Sequence, residues 1–169
     1  MTQNKQLIKI FEYALTQEKN GLNFFQNALK QLEISATKNA FKRLIEEEEQ
    51  HVEYIERILK GLKEGPTLEE SDFKVKSLKK TQFFDKKARS EFNKQFKKGS
   101  QLPDVAIFNT AWLLEKDISD FYENMASQTD GEAKKALGML ARWENSHEEF
   151  FREYRDRLLN VYSDIFKER

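Results

Sequence analysis

Four segments of the chain carry apolar residues at intervals of three and four, the spacing that places side chains on one face of an α-helix. They cover about residues 4–32, 37–63, 103–128 and 131–165. Only two prolines and six glycines occur in 169 residues, so little in the composition would break a long helix. The pattern predicts one all-α domain spanning residues 1–169.

The connections between these segments predict how the helices are arranged. Those around residues 34–36 and 129–131 are short, and short connections make consecutive helices antiparallel neighbours. Thr129 and Glu132 form a predicted capping box at the start of the fourth helix. About residues 64–102 remain as a crossover between the second and third helices. Two antiparallel hairpins joined by a long crossover form a ferritin-like four-helix bundle.

Each apolar stripe is interrupted by a glutamate, and two of the four are also interrupted by a histidine. Both histidines of the chain follow a glutamate by three residues, so each forms a Glu-x-x-His pair on one helix face. Residues 40–51, AFKRLIEEEEQH, match residues 136–147, ALGMLARWENSH, at alanine, leucine, glutamate and histidine, as if one helical hairpin were used twice. The interrupting residues are Glu18, Glu48, His51, Glu115, Glu144 and His147.

Four carboxylates on the inner faces of a bundle would repel one another and lose hydration, and two divalent cations would remove both costs. One glutamate from each of two helices plus Glu-x-x-His from each of the other two is the ligand set of a dinuclear carboxylate site. We expect Glu48 and Glu144 to bridge the metals, Glu18 and Glu115 to be terminal ligands, and each histidine to hold one metal. Oxygen and nitrogen ligands without cysteine suit two ions of iron or manganese, whereas zinc usually has fewer carboxylate ligands.

The six residues and their spacing resemble the rubrerythrin branch of the ferritin-like di-iron carboxylate superfamily, over roughly residues 5–63 and 103–158. The resemblance implies a di-iron centre that cycles between ferrous and ferric states and reacts with hydrogen peroxide or dioxygen, in a protein that is often a homodimer. The chain differs from the family pattern at Ile118, where an extra glutamate is usual, and at Phe25, where a tyrosine is common. It contains no cysteine and hence no Cys-ligated rubredoxin domain, which implies a separate electron donor.

Several residues near the six predicted ligands allow two interpretations. Tyr122 is the predicted catalytic residue, as a hydrogen-bond donor to peroxide or a radical relay, and core packing is the alternative. Trp112 and Trp143 lie within a turn of predicted ligands, where packing is the expected role. A further set of glutamates is expected to face solvent, with support of a ligand by one or two of them as the alternative. These are Glu46, Glu47, Glu49, Glu148 and Glu149.

The crossover contains a strongly basic segment. Residues 73–99 carry ten lysines or arginines against two acids, Asp85 and Glu91. We expect either a solvated basic face or a docking patch for an acidic electron donor such as rubredoxin or ferredoxin. The net charge of the whole chain is zero, and no apolar run is long enough to span a bilayer. We therefore expect neither nucleic acid nor membrane as a partner, and, without a visible signal peptide, a cytoplasmic location.

Three functions are compatible with the pattern. The first is a di-iron oxidoreductase that reduces hydrogen peroxide or dioxygen with electrons from another protein. The second is ferroxidase action or iron handling without peroxidase turnover. The third is a non-catalytic helical module stabilised by metal. Oxidation of a small organic molecule also fits the same ligand set.

Overall fold

The computed structural model describes residues 2–32, 35–65 and 105–167. They form four α-helices, α1 (Thr2–Leu29), α2 (Ser35–Glu64), α3 (Val105–Ser127) and α4 (Gly131–Lys167). Helix α1 packs on α2 and α3 packs on α4, and α1 also contacts α3. The predicted all-α four-helix bundle is confirmed. The predicted crossover and its basic segment lie outside the described residues.

The turn between α3 and α4 differs from the predicted capping box. Thr129 donates its hydroxyl hydrogen back to the carbonyl oxygen of Met125, at 3.0 Å, and so serves the end of α3 instead of the start of α4. Gly131, with φ of 65°, adopts the left-handed conformation that a residue with a Cβ would adopt only with strain. The short turn therefore depends on a glycine and on the cap of the preceding helix.

Four phenylalanines, one from each helix, pack together and define the helix directions. Phe41 lies 5.9 Å from Phe25, 5.8 Å from Phe108 and 5.5 Å from Phe151, measured between ring centroids. Phe25 and Phe151 each follow a stripe glutamate by seven residues, whereas Phe41 and Phe108 each precede one by seven. Helices α1 and α4 therefore run one way and α2 and α3 the other, as in two antiparallel hairpins.

The interior contains two hydrophobic clusters separated along the bundle. One is built around the four phenylalanines and includes Leu44 and Tyr154. The other includes Phe11, Ile55 and Leu137. The glutamates and histidines of the four stripes lie between these clusters in the sequence of every helix, so the fold surrounds a buried polar layer with apolar packing on both sides. Within the described ranges, none of the helices is sufficiently long and apolar to cross a membrane.

Candidate metal centre

The structure brings the six stripe residues together in the middle of the bundle. They form two overlapping groups of four, and within each group one ligand atom from every residue lies within 4.8 Å of the others. The first group is Glu18, Glu48, His51 and Glu144, and the second is Glu48, Glu115, Glu144 and His147. All six side chains are buried, with Glu144 fully inaccessible to solvent. Glu48 and Glu144 belong to both groups, which is the placement expected of bridging carboxylates.

Both histidines direct Nδ1 toward the carboxylates. His51 Nδ1 lies 2.6 Å from Glu144 Oε1 and 3.5 Å from Glu48 Oε2. His147 Nδ1 lies 3.0 Å from Glu48 Oε1 and 3.5 Å from Glu144 Oε2. The terminal carboxylates are slightly farther, with Glu18 at 3.9 Å from His51 and Glu115 at 3.8 Å from His147. Nitrogen and oxygen donors therefore face a shared space in each group.

Several of these donor atoms are buried and lie close to one another without forming a hydrogen bond of ordinary geometry. They include His51 Nδ1, Glu48 Oε1, Glu115 Oε1 and both carboxylate oxygens of Glu144. Buried polar atoms are normally satisfied, and leaving a charged one unpaired is costly. A divalent cation in each group would satisfy these atoms through coordination. The residues present thus fit a metal centre with oxygen and nitrogen ligands.

Burial and mutual repulsion give the carboxyl groups of the cluster different pKa values. Burial, together with the charges of Glu144 and Glu48, holds the pKa of Glu18 well above its ordinary value, and the same causes raise the pKa of Glu115. Burial also opposes the charge of Glu144, but the two histidines outweigh it and hold the pKa of Glu144 well below the ordinary value. Burial alone would lower the pKa of His51, yet the carboxylates around it raise that pKa well above normal. The cluster therefore retains protons that a metal would displace.

Glu47 contacts a member of the cluster, which corrects the expectation that it faces solvent and agrees with the alternative, support of a predicted ligand. Its Oε2 lies 2.8 Å from His147 Nε2, on the side of the ring opposite Nδ1. Arg43 Nε lies 3.6 Å from the other oxygen of Glu47. A side chain one position before Glu48 can reach sideways to α4 because α2 and α4 are neighbours across the bundle. By contrast, Glu46, Glu49 and Glu149 are exposed, as predicted.

Both tryptophans have specific polar or ring partners. Trp143 stacks on His51, with centroids 5.3 Å apart and planes at 10°. Trp112 donates its Nε1 hydrogen to Glu148 Oε1 at 2.6 Å, and the Arg155 guanidinium lies 4.0 Å from the Trp112 ring centroid. Glu148 is only 7% exposed, which corrects its prediction as a solvent-facing residue. Its burial next to a tryptophan is stabilised by that hydrogen bond and by Arg152, whose Nη1 lies 3.6 Å from Glu148 Oε1.

Tyr122 is fully buried and donates its hydroxyl hydrogen to Glu18 Oε1. It therefore contacts a predicted terminal ligand from a different helix. Burial and the charge of Glu18 raise the pKa of the Tyr122 hydroxyl, which keeps the proton on the phenol. The position related to Tyr122 by the internal repeat is Phe25, which has no hydroxyl to donate.

A pocket of about 390 Å³ opens between α1 and α3 and reaches the buried carboxylates Glu18, Glu48 and Glu115. Aromatic rings of Tyr13 and Phe121 line it, with centroids 4.8 Å apart. The pocket gives a small molecule a path to the side of the cluster formed by the terminal glutamates. Its remaining lining residues are Gln17, Asn20, Gly21, Phe25, Leu114, Asp117, Ile118, Asp120 and Asn124.

The sequence model of the rubrerythrin family matches residues 9–155. The chain belongs to the rubrerythrin family. The match covers all six residues of the cluster, and the buried set of glutamates and histidines fits a metal site. In this rubrerythrin Ile118 lines the pocket, and an isoleucine side chain cannot coordinate a metal. No curated protein sequence matches the chain.

Proposed function

We propose that this rubrerythrin is a di-iron oxidoreductase that reduces hydrogen peroxide or dioxygen with electrons from a separate donor protein. The observation that carries the proposal is the pair of overlapping four-residue groups that share Glu48 and Glu144. Shared carboxylates would hold two metal ions close enough to act on one small molecule. A single-metal structural site needs neither the sharing nor the second histidine.

Each protein group would have a defined role. Glu48 and Glu144 would bridge, Glu18 with His51 would complete one position, and Glu115 with His147 would complete the other. Two iron ions, each changing between the ferrous and ferric states, would supply the two electrons that reduce one peroxide. In balance, hydrogen peroxide takes up two electrons and two protons and gives two waters. The electrons are returned one at a time by a one-electron donor protein.

The residues around the metal centre would donate a hydrogen bond to the reacting oxygen and exclude water from the interior. The pocket between α1 and α3 admits an oxidant on the side of Glu18 and Glu115. The Tyr122 hydroxyl holds a proton beside Glu18, in position to stabilise an oxygen atom that gains negative charge nearby. The four phenylalanines close the interior two helical turns away and exclude water from that end. The homodimer and the docking role of residues 73–99 remain predictions.

The test is stopped-flow oxidation of the anaerobic diferrous protein. We expect peroxide to oxidise it faster than it oxidises free ferrous iron, and a reduced rubredoxin or ferredoxin to restore the diferrous state repeatedly. E144Q removes a shared carboxylate and should abolish rapid oxidation, whereas E149Q alters an exposed glutamate five residues farther along the same helix and should leave it unchanged.

Two outcomes would change the assigned function, and a third would contradict the predicted docking. Rapid oxidation with no re-reduction, followed by release of ferric iron, would support iron handling. Metal uptake that raises stability without accelerating oxidation would support a non-catalytic module. A donor reaction whose rate does not fall with added salt would contradict docking through the basic segment.

A further inference from the structure

The internal repeat places two different residues in equivalent positions beside the cluster. Aligning residues 40–51 with 136–147 superposes the two Glu-x-x-His pairs, and it pairs Glu47 with Trp143. Glu47 of the first hairpin contacts His147 of the second, and Trp143 of the second contacts His51 of the first. The same position in each repeat therefore supports the histidine of the other half, but with different chemistry.

Glu47 acts on His147 as a hydrogen-bond acceptor. A carboxylate at 2.8 Å accepts the hydrogen of Nε2, which leaves the Nδ1 lone pair directed at Glu48 and Glu144. Withdrawing that hydrogen toward a negative charge makes the imidazole a stronger donor at its other nitrogen. Carboxylate partners of this kind change metal affinity by about 10- to 100-fold.

Trp143 acts on His51 through a ring face. Stacking at 10° restrains the plane of the imidazole but offers no acceptor to Nε2. Across the described ranges, no carboxylate lies within ion-pair distance of His51 Nε2, since its close oxygens are all on the Nδ1 side. His51 is therefore restrained by a ring contact but is a weaker electron donor than His147.

The terminal carboxylates differ in the same direction. Tyr122 donates a hydrogen bond to Glu18, which draws electron density away from a ligand of the His51 position. Glu115 Oε1 receives no hydrogen bond from any described residue, so no neighbouring hydroxyl draws electron density from this ligand of the His147 position. The two repeats differ at this position as well. Phe25 is the equivalent of Tyr122 and has no hydroxyl that could donate to Glu115.

We propose that the two metal positions are inequivalent and fill in order. The position formed by Glu115 and His147, supported by Glu47, takes the first divalent cation, and the position formed by Glu18 and His51 takes the second. Glu47 is thus a positioning residue that, together with the Tyr122 hydroxyl, distinguishes the two halves. The inference rests on the proposed metal centre but not on any reaction of it.

The chain contains only two histidines, which makes the order of filling directly observable. The metal-free protein labelled with ¹⁵N-histidine is titrated with Zn²⁺, a diamagnetic probe, and the ring nitrogens are followed by NMR. The His147 signals should complete their change at one equivalent, and those of His51 only at the second. H51Q assigns the two sets of signals. Simultaneous changes, or His51 changing first, would overturn the proposal.

A matched pair of variants then tests the cause. E47Q keeps the size of the side chain and an acceptor oxygen but removes the charge, and it should weaken the first Zn²⁺ by about 10- to 100-fold so that both histidines respond together. E49Q, at an exposed position of the same helix, should leave the order unchanged. An unaltered order in E47Q would reject the role of Glu47. If neither histidine responds to Zn²⁺ in the unmodified chain, the metal centre itself is refuted, which is a separate result.

Discussion

Tyr122 on α3 donates a hydrogen bond to Glu18 on α1, which joins two residues 104 positions apart in sequence at the edge of the buried cluster. Y122F should lower the free energy of unfolding of the metal-free protein by about 1–3 kcal/mol, because a buried carboxylate oxygen loses its donor. Urea denaturation measures the change. Y13F alters a tyrosine that is half exposed, and it should change stability by no more than about 0.5 kcal/mol. Equal effects of the two variants would contradict the importance of this bond.

The metal-free protein should be less stable at about pH 8 than at about pH 6. The pKa values of His51 and His147 are raised by the surrounding carboxylates, so their contribution is present below the unfolded value of about 6.5 and is lost as pH rises through the folded values. Glu18 and Glu115 act in the same direction, because a raised carboxyl pKa makes folding less favourable once the unfolded chain ionises above about 4.3.

Glu144 has a lowered pKa and acts the other way, but its contribution is lost only as pH falls below the unfolded carboxyl range. Added Mn²⁺ should reverse the trend, since a cation displaces the retained protons more easily as pH rises. Thermal unfolding with and without Mn²⁺ across this pH range measures both slopes. A metal-free protein that becomes more stable toward about pH 8 would be inconsistent with this account.

Removing a terminal carboxylate should have opposite effects on stability and on metal binding. E115Q replaces a carboxyl group that must retain a proton when buried with a neutral amide, so the metal-free protein should gain on the order of 1 kcal/mol at neutral pH. The same variant should bind metal more weakly, because an amide replaces a carboxylate ligand. Chemical denaturation and metal titration measure the two quantities. E123Q, an exposed change on the same helix, serves as the control and should alter neither.

The phenylalanine layer should be the most sensitive part of the apolar core. Phe151 is fully buried and contacts Phe25, Phe41 and Phe108 at centroid distances of 5.5 to 6.1 Å. F151A should cost about 3–5 kcal/mol through lost burial and the cavity left behind. L113A, at a side chain that is 44% exposed, should cost less than about 0.5 kcal/mol. A loss below 1 kcal/mol in F151A would mean that the layer collapses to fill the space.

Much of this structure was predictable because helical periodicity is a local property. A polar residue that interrupts an apolar stripe must lie on the inner face, and this reasoning placed Glu18 and Glu115 in the interior without any neighbour being known. The structure brings both into the cluster with the two Glu-x-x-His pairs. Their action as ligands stays a prediction for the metal experiments above.

The supporting contacts were harder to predict because they depend on the distance between helices. Glu47 lies one position from a stripe residue. Its place on the helix is therefore compatible both with exposure to solvent and with contact to the neighbouring helix. Glu148 is buried only because Trp112 of α3 reaches it. Aligning the two repeats would have singled out Glu47 opposite Trp143, and that comparison was the signal available in the sequence. The contact from Tyr122 to Glu18 likewise requires knowing how α3 lies against α1.

Each four-residue group takes three members from one hairpin and a single glutamate from the other. Neither hairpin alone supplies a complete group, so an ion bound by all four residues would link the two hairpins. A version of the chain cut between α2 and α3 should then reassemble when metal is supplied and come apart when a chelator removes it. In such a two-piece protein, assembly of the pieces would show directly whether the ion is bound.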